Sequence, residues 1–171
     1  MTQFFPPNFR AFRSDWYGKH LSAMHEPSLV QLAMRGETAM RFLWLRTFHQ
    51  PIAVRVQRAE EGARLVATRL SGMGGYEPGS IDLRRERELG AQECQRVEAA
   101  LDDAAFETIP PDVNTLGADG AQWIIERAKG GEYRIVDRWS PEAKGDAGGF
   151  RRACETFLAL AGEDFVTGSI Y

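Results

Sequence analysis

At 171 residues, with 43% hydrophobic and 26% charged side chains, the chain fits one globular domain that buries roughly 70% of its unfolded surface. A core of that size stands without metal or disulfide staples, and a formal net charge of −3 creates no field to recruit nucleic acid. No apolar run reaches the ~20 residues of a membrane span, and the N-terminus lacks the charged head and apolar stretch of a secretory signal, so the expected location is cytoplasmic.

Residues 1–17 hold Phe4, Phe5, Phe9, Phe12, Trp16 and Tyr17, with Arg10 and Arg13 interleaved and Pro6-Pro7 interrupting regular structure. Two arginines partly offset by Asp15 make a poor groove for single-stranded nucleic acid. The segment reads as an irregular strap pinned by its rings, or as an arm that docks on a partner protein. Between Lys19 and Gly36 the apolar residues are Leu21, Met24, Leu29, Leu32 and Met34, and Pro27 argues against one continuous helix. A short helix or turn precedes it, and the segment after it stays undecided.

Glu37 to Phe48 reads as a strand covered on both faces, with Phe42, Trp44 and Phe48 to one side and Leu43 and Leu45 to the other. Ile52, Val54 and Val56 alternate with Ala53, Arg55 and Gln57 as the next strand. Glu60-Glu61-Gly62 turns the chain into a third, Leu65 to Leu70, which suggests an antiparallel meander. Ser71 to Ser80 is glycine-rich but lacks a P-loop lysine, so it reads as a connection rather than a phosphate cradle. The mixed-sign run of Ile81 to Leu89 suits an edge strand guarded against illicit pairing.

Ala91 to Ala105 is a helix by its Cys94, Val97 and Leu101 stripe. A polar loop, Phe106 to Gly120, delivers the chain to two strand-like runs around Gly130-Gly131. A second helix, Phe150 to Ala161, carries Phe150, Ala153, Cys154, Phe157, Leu158 and Ala161 at three-four spacing, and Gly162 ends it. The tail from Glu163 to Tyr171 is a short strand or a strap. Cys94 and Cys154, each on an apolar helix face, read as two reduced thiols rather than a disulfide.

The hairpin from Gln122 to Pro141 admits three registers. A Gly130-Gly131 loop sets Arg127 opposite Arg134, which like-charge repulsion disfavours. A Lys129-Gly130 loop opposes Ile125 to Arg134. A Lys129-Gly130-Gly131 loop pairs Ile125 with Ile135, Ile124 with Val136 and Glu126 with Arg134, and is the expected one. Asp137 then falls on the core side beside Trp123, where a carboxylate needs partners.

The expected fold is α+β: an antiparallel sheet of about six strands with two helices packed on one face, in a single domain over residues 1–171. His20, His25 and His49 lie apart and no cysteine pair has ligand spacing, so no metal or other cofactor is expected. No serine sits on a strand-to-helix elbow. Acid–base chemistry is left to His49, Glu126 and Asp137 with Arg46, and more remotely to Glu26 and Asp119. Each has a plainer use, Glu126 as a cross-strand partner of Arg134 and Arg46 as a snorkelling side chain. Contact with a partner protein falls to Trp139, Arg138, Arg10, Arg13 and Phe9, because aromatic and arginine side chains dominate binding hot spots.

Glu26-Pro27-Ser28-Leu29, the run Arg41 to His49, Ser71-Gly72 with Gly74 to Gly79, Asp119 to Glu126, Val136 to Pro141 and the terminal Ile170-Tyr171 resemble a group of uncharacterised bacterial proteins. The chain departs from that group's pattern at Gln50, where a second histidine would stand, and at Arg127, where a glycine would. The resemblance implies a bacterial source and a compact β-rich domain, and no particular reaction. Two function classes follow: a non-catalytic protein-binding protein such as an immunity-type inhibitor, and a small hydrolase or lyase built on the carboxylates and His49.

Overall fold

The computed structural model describes residues 3–112, 117 and 119–171; part of the expected loop 106–120 therefore lies outside the described residues. The elements run α1 (Ala11–Ala23), α2 (Leu29–Met34), β1 (Ala39–Arg46), β2 (Ile52–Arg58), β3 (Ala63–Leu70), β4 (Ile81–Leu89), α3 (Ala91–Asp103), β5 (Ala121–Lys129), β6 (Glu132–Trp139) and α4 (Gly148–Ala161). The six strands form one sheet in the order β4-β3-β2-β1-β5-β6, and every neighbouring pair is antiparallel. The architecture is α+β.

β1 is the sheet's centre, and all eight of its residues are buried. Alternation sends Phe42 and Trp44 to one face, where Val54, Leu65, Trp123 and Ile125 join Val97 and Leu101 of α3 and Phe150, Cys154 and Phe157 of α4 in one hydrophobic cluster. Leu43 and Leu45 go to the other face and meet Tyr17 and Leu21 of α1, with Phe4 and Phe5. α2 sets Leu29 and Leu32 against Ala39 and Ala128 in a smaller cluster. Phe48 lies beyond the strand end and is half exposed. β4 is the charged edge, its exposure alternating along the strand. From it Arg85 and Arg87 donate to the Ala161 and Leu160 carbonyls at the C-terminal end of α4, where cations offset the helix dipole.

Residues 11–17, expected to be irregular, are helical. Arg13, Tyr17, His20 and Leu21 are the buried face of α1. Two polar members disguise a stripe whose spacing is helical.

The hairpin takes the register the like-charge argument disfavoured. Ile125 faces Val136, Glu126 faces Ile135 and Arg127 faces Arg134. Gly130 and Gly131 adopt φ of 61° and 83°, the two positive values that a two-residue type I′ turn requires and glycine supplies without strain. Repulsion is relieved from outside the hairpin. Arg127 pairs with Glu107, while Arg134 donates to the Phe106 carbonyl at 2.6 Å and the Ile109 carbonyl at 2.5 Å. The Phe106 ring lies 5.8 and 5.6 Å from the two guanidinium carbons. Asp137 consequently stands on the α1 side of the sheet, away from Trp123.

Candidate functional site

The four acid–base candidates occupy three separate places. Glu126 faces Arg41 across the β5–β1 ladder, not Arg134. Arg41 Nε donates to Glu126 Oε2 at 2.8 Å; Nη2 lies 2.6 Å from the same oxygen, near enough to pair by charge but off the line of a hydrogen bond. Arg41 Nη1 donates to the Pro27 carbonyl at 2.8 Å and lies 3.4 Å from Glu26 Oε2, which also accepts from Arg55 Nε at 2.9 Å. Tyr133 donates to Glu126 Oε1 at 3.0 Å. Two guanidiniums and two carboxylates thus balance in a site where all four residues are buried. Burial opposes the Arg41 charge, yet Glu126 and Glu26 outweigh it and raise its pKa. A sealed, neutral network of this kind positions chain segments; it offers no approach to a substrate.

Asp137, 2% exposed, accepts on Oδ2 from Tyr17 at 2.7 Å and Arg13 Nη1 at 2.9 Å. Arg13 Nη1 also reaches Asp112 Oδ1 at 2.8 Å, and Arg10 pairs with Asp112 Oδ2 at 3.0 Å. Asp137 Oδ1 is buried with no hydrogen bond. Burial is the largest influence and pushes its pKa from 3.8 up to about 6, against the pull of the Tyr17 bond and the Arg13 charge.

Arg46 and His49 meet the C-terminal tail. The Arg46 guanidinium lies 4.2 Å from the Trp44 ring centre and donates from Nη1 to the Thr167 and Ser169 carbonyls at 2.5 and 3.2 Å. Its Nε and Nη2 are buried without partners, and burial lowers its pKa to about 10. His49 Nδ1 is 2.7 Å from the Tyr171 hydroxyl, and the Tyr171 carbonyl accepts from Trp123 Nε1 at 3.0 Å. The tail is thereby tied to the end of β1. Burial first, and Arg46 second, lower the His49 pKa.

A cleft of about 790 Å³ opens between α1, the loop 71–80 and the paired ends of β5 and β6. Arg10, Phe12, Arg13, Trp16 and Lys19 form one wall, Gly75 and Tyr76 another, and Gln122 with Trp139 a third. Phe12 and Tyr76 are 76% and 54% exposed. Trp16 is fixed by its Nε1 bond to the Gly74 carbonyl at 2.7 Å. Gly74 itself lies so close to the end of β1 that a Cβ there would stand 2.6 Å from the Arg46 backbone nitrogen. Arg10, Arg13 and Trp139 of the expected contact set meet here. Phe9 instead stacks on Phe5 at 4.9 Å. Arg138 donates to the Pro110 carbonyl at 2.5 Å, with its guanidinium carbon 5.7 Å from the Phe150 ring centre on the opposite face. A smaller hollow of about 370 Å³, lined in part by Thr38, Met40, Cys94 and Glu98, holds none of the expected residues.

Phe12, Trp16, Tyr76 and Gln122 were outside the expected set. Phe12 and Trp16 stand four apart with rings 6.0 Å from one another, a helical spacing that identifies a shared face once residues 11–23 are seen as a helix. Tyr76 was hidden in a glycine-rich loop, and a lone glutamine at a strand start carries no signal.

Among the described residues, no three His, Cys, Asp or Glu side chains gather as a metal-binding group, and no helix is long and apolar enough to cross a membrane. No protein-family model matches the chain, and a comparison with curated proteins gives no match. Fold and site together describe an α+β protein with an aromatic-lined cleft.

Proposed function

We propose that the chain is a non-catalytic protein-binding protein, an immunity-type inhibitor of the bacterial cytoplasm, and that the cleft beside α1 is where it meets its partner. One observation carries this reading: Arg10, Arg13 and Trp139 line a single cleft with the exposed rings of Phe12 and Tyr76. Glu126, Asp137, Arg46 and His49 do not line that cleft, and each is engaged by other side chains or by the tail. Aromatic anchors at a concave surface are the residues that binding hot spots favour, whereas a general acid or base must reach the proton it moves.

The test is affinity purification from the source bacterium with the tagged wild-type chain and with a Phe12→Ala/Tyr76→Ala variant. Both rings are more than half exposed, so the variant keeps its fold. The expected result is a stoichiometric protein partner on the wild type, with recovery lowered about tenfold or more on the variant. Equal recovery on both, or no partner on either, refutes the proposal.

A further inference from the structure

We infer that the cleft accepts one neutral aromatic side chain of the partner, together with the backbone amide next to it, and that Gln122 pairs with that amide; this rests on the protein-binding reading above. The volume of about 790 Å³ falls in the range of pockets that enclose a ligand. Trp16, Tyr76 and Trp139 give it ring faces and edges, which an incoming ring meets by offset or edge-to-face packing.

Charge selects against an anion. Arg13 is held by Asp112 and Asp137 at 2.8 and 2.9 Å, Lys19 by Glu77 at 3.1 Å, and Arg10 pairs with Asp112 at 3.0 Å. Asp15 adds a further negative charge to the lining. A phosphate or carboxylate would have to displace these carboxylates to gain a cation, while a neutral ring displaces none.

Gln122 supplies the polar preference. It is 5% exposed, lies opposite Trp139 in the β5–β6 register, lines the cleft, and its Oε1 is buried with no hydrogen bond. A buried acceptor left unpaired is costly, so an arriving N–H donor is favoured. A peptide N–H beside an aromatic side chain brings donor and ring in one unit.

The test is an NMR titration of the full chain, following its indole N–H signals. The probes are N-acetyl-tryptophanamide, N-acetyl-alaninamide and adenosine. The tryptophan probe is expected to shift the Trp16 and Trp139 signals saturably and leave those of Trp44 and Trp123, buried on the other face, in place. The alanine probe is expected to shift none. Gln122→Leu is expected to weaken binding several-fold, and Tyr76→Ala provides a second variant should Gln122→Leu fail to fold. Absence of a saturable shift overturns the inference, as does binding of adenosine without the tryptophan probe, which would mark a heterocycle site. Should the partner be captured through the cleft while the tryptophan probe fails to bind, this inference falls and the protein-binding reading stands. Should the probe bind and no partner be found, the protein-binding reading falls and takes the partner's side chain with it, leaving only a small-molecule site for a ring with an amide.

Discussion

Replacing Asp137 with asparagine tests whether burial or ion pairing governs the α1 side of the sheet. The carboxylate is 2% exposed and takes bonds from Tyr17 and Arg13, yet its pKa is raised from 3.8 to about 6. Desolvation therefore outweighs two charge-stabilising contacts. With a folded pKa above the unfolded one, the native state holds the proton more tightly, so stability is gained as pH falls from 6 toward 3.8. The full shift corresponds to about 3 kcal/mol, and the larger part of it, about 2 kcal/mol, is realised between pH 7 and pH 4. The asparagine side chain cannot titrate, so the stability of wild type minus that of Asp137→Asn isolates this group. His20, whose pKa burial lowers to about 4, titrates in both proteins and cancels. Urea unfolding followed by circular dichroism at pH 7 and pH 4 gives the four free energies. Wild type is expected to gain on the variant by about 2 kcal/mol on acidification. A difference that is flat with pH, or that moves the other way, means Arg13 and Tyr17 stabilise the ionised form at least as much as burial penalises it, and the argument fails.

The Arg41–Glu126 pair gives a second expectation. Arg41→Met alone strands buried carboxylate and costs about 3–5 kcal/mol, whereas Arg41→Met/Glu126→Leu costs less than that single change; strictly additive urea-unfolding energies would contradict a coupled network. In the hairpin, Gly131→Ala places a side chain at φ 83° and lowers stability by about 1–2 kcal/mol. Gly130→Asn, at φ 61°, stays within about 0.5 kcal/mol of wild type by thermal melting, because asparagine suits the first position of this turn; equal losses at both sites would refute the turn assignment. For the thiols, Cys94 is half-buried and Cys154 buried, and burial raises the Cys154 pKa well above its usual value. A thiol reagent is expected to modify Cys94 in the native protein and Cys154 only on unfolding, as mass mapping would show; comparable native rates would refute that packing.

Much of the sheet is legible because its side chains report burial directly. The apolar alternation of β1 and the three-four stripe of α4 have partners of the same kind, so period alone places them. The charge run of β4 is legible for the opposite reason, since an edge strand leaves its outward groups to water. α1 was illegible because Arg13 and His20 occupy its buried face beside Tyr17 and Leu21, and a pattern read by hydrophobicity breaks at each. Arg13 can sit there only because Asp112 and Asp137, from distant parts of the chain, meet its guanidinium. The hairpin register failed on the same ground. Opposed arginines are unfavourable in an isolated pair, but the segment around Phe106 brings a ring, two carbonyls and Glu107 to the two guanidiniums. No inspection of residues 122–141 could supply them.

The site follows from that same dependence on distant partners. Local reading marks Glu126, Asp137, Arg46 and His49 because charged or titratable groups in strand-like surroundings are costly and invite a functional reason. In the fold each of these groups is engaged by a long-range contact: Glu126 by Arg41, Asp137 by Arg13 and Tyr17, Arg46 by the Thr167 and Ser169 carbonyls, His49 by the Tyr171 hydroxyl. Spending the buried charges on one another leaves the cleft with paired cations, exposed rings and one amide acceptor without a partner. Such a surface has shape and ring contact to offer. A binding role asks nothing further of these residues, whereas acid–base chemistry at Glu126 or Asp137 would first require breaking the ion pairs that tie β5 to β1 and β6 to α1.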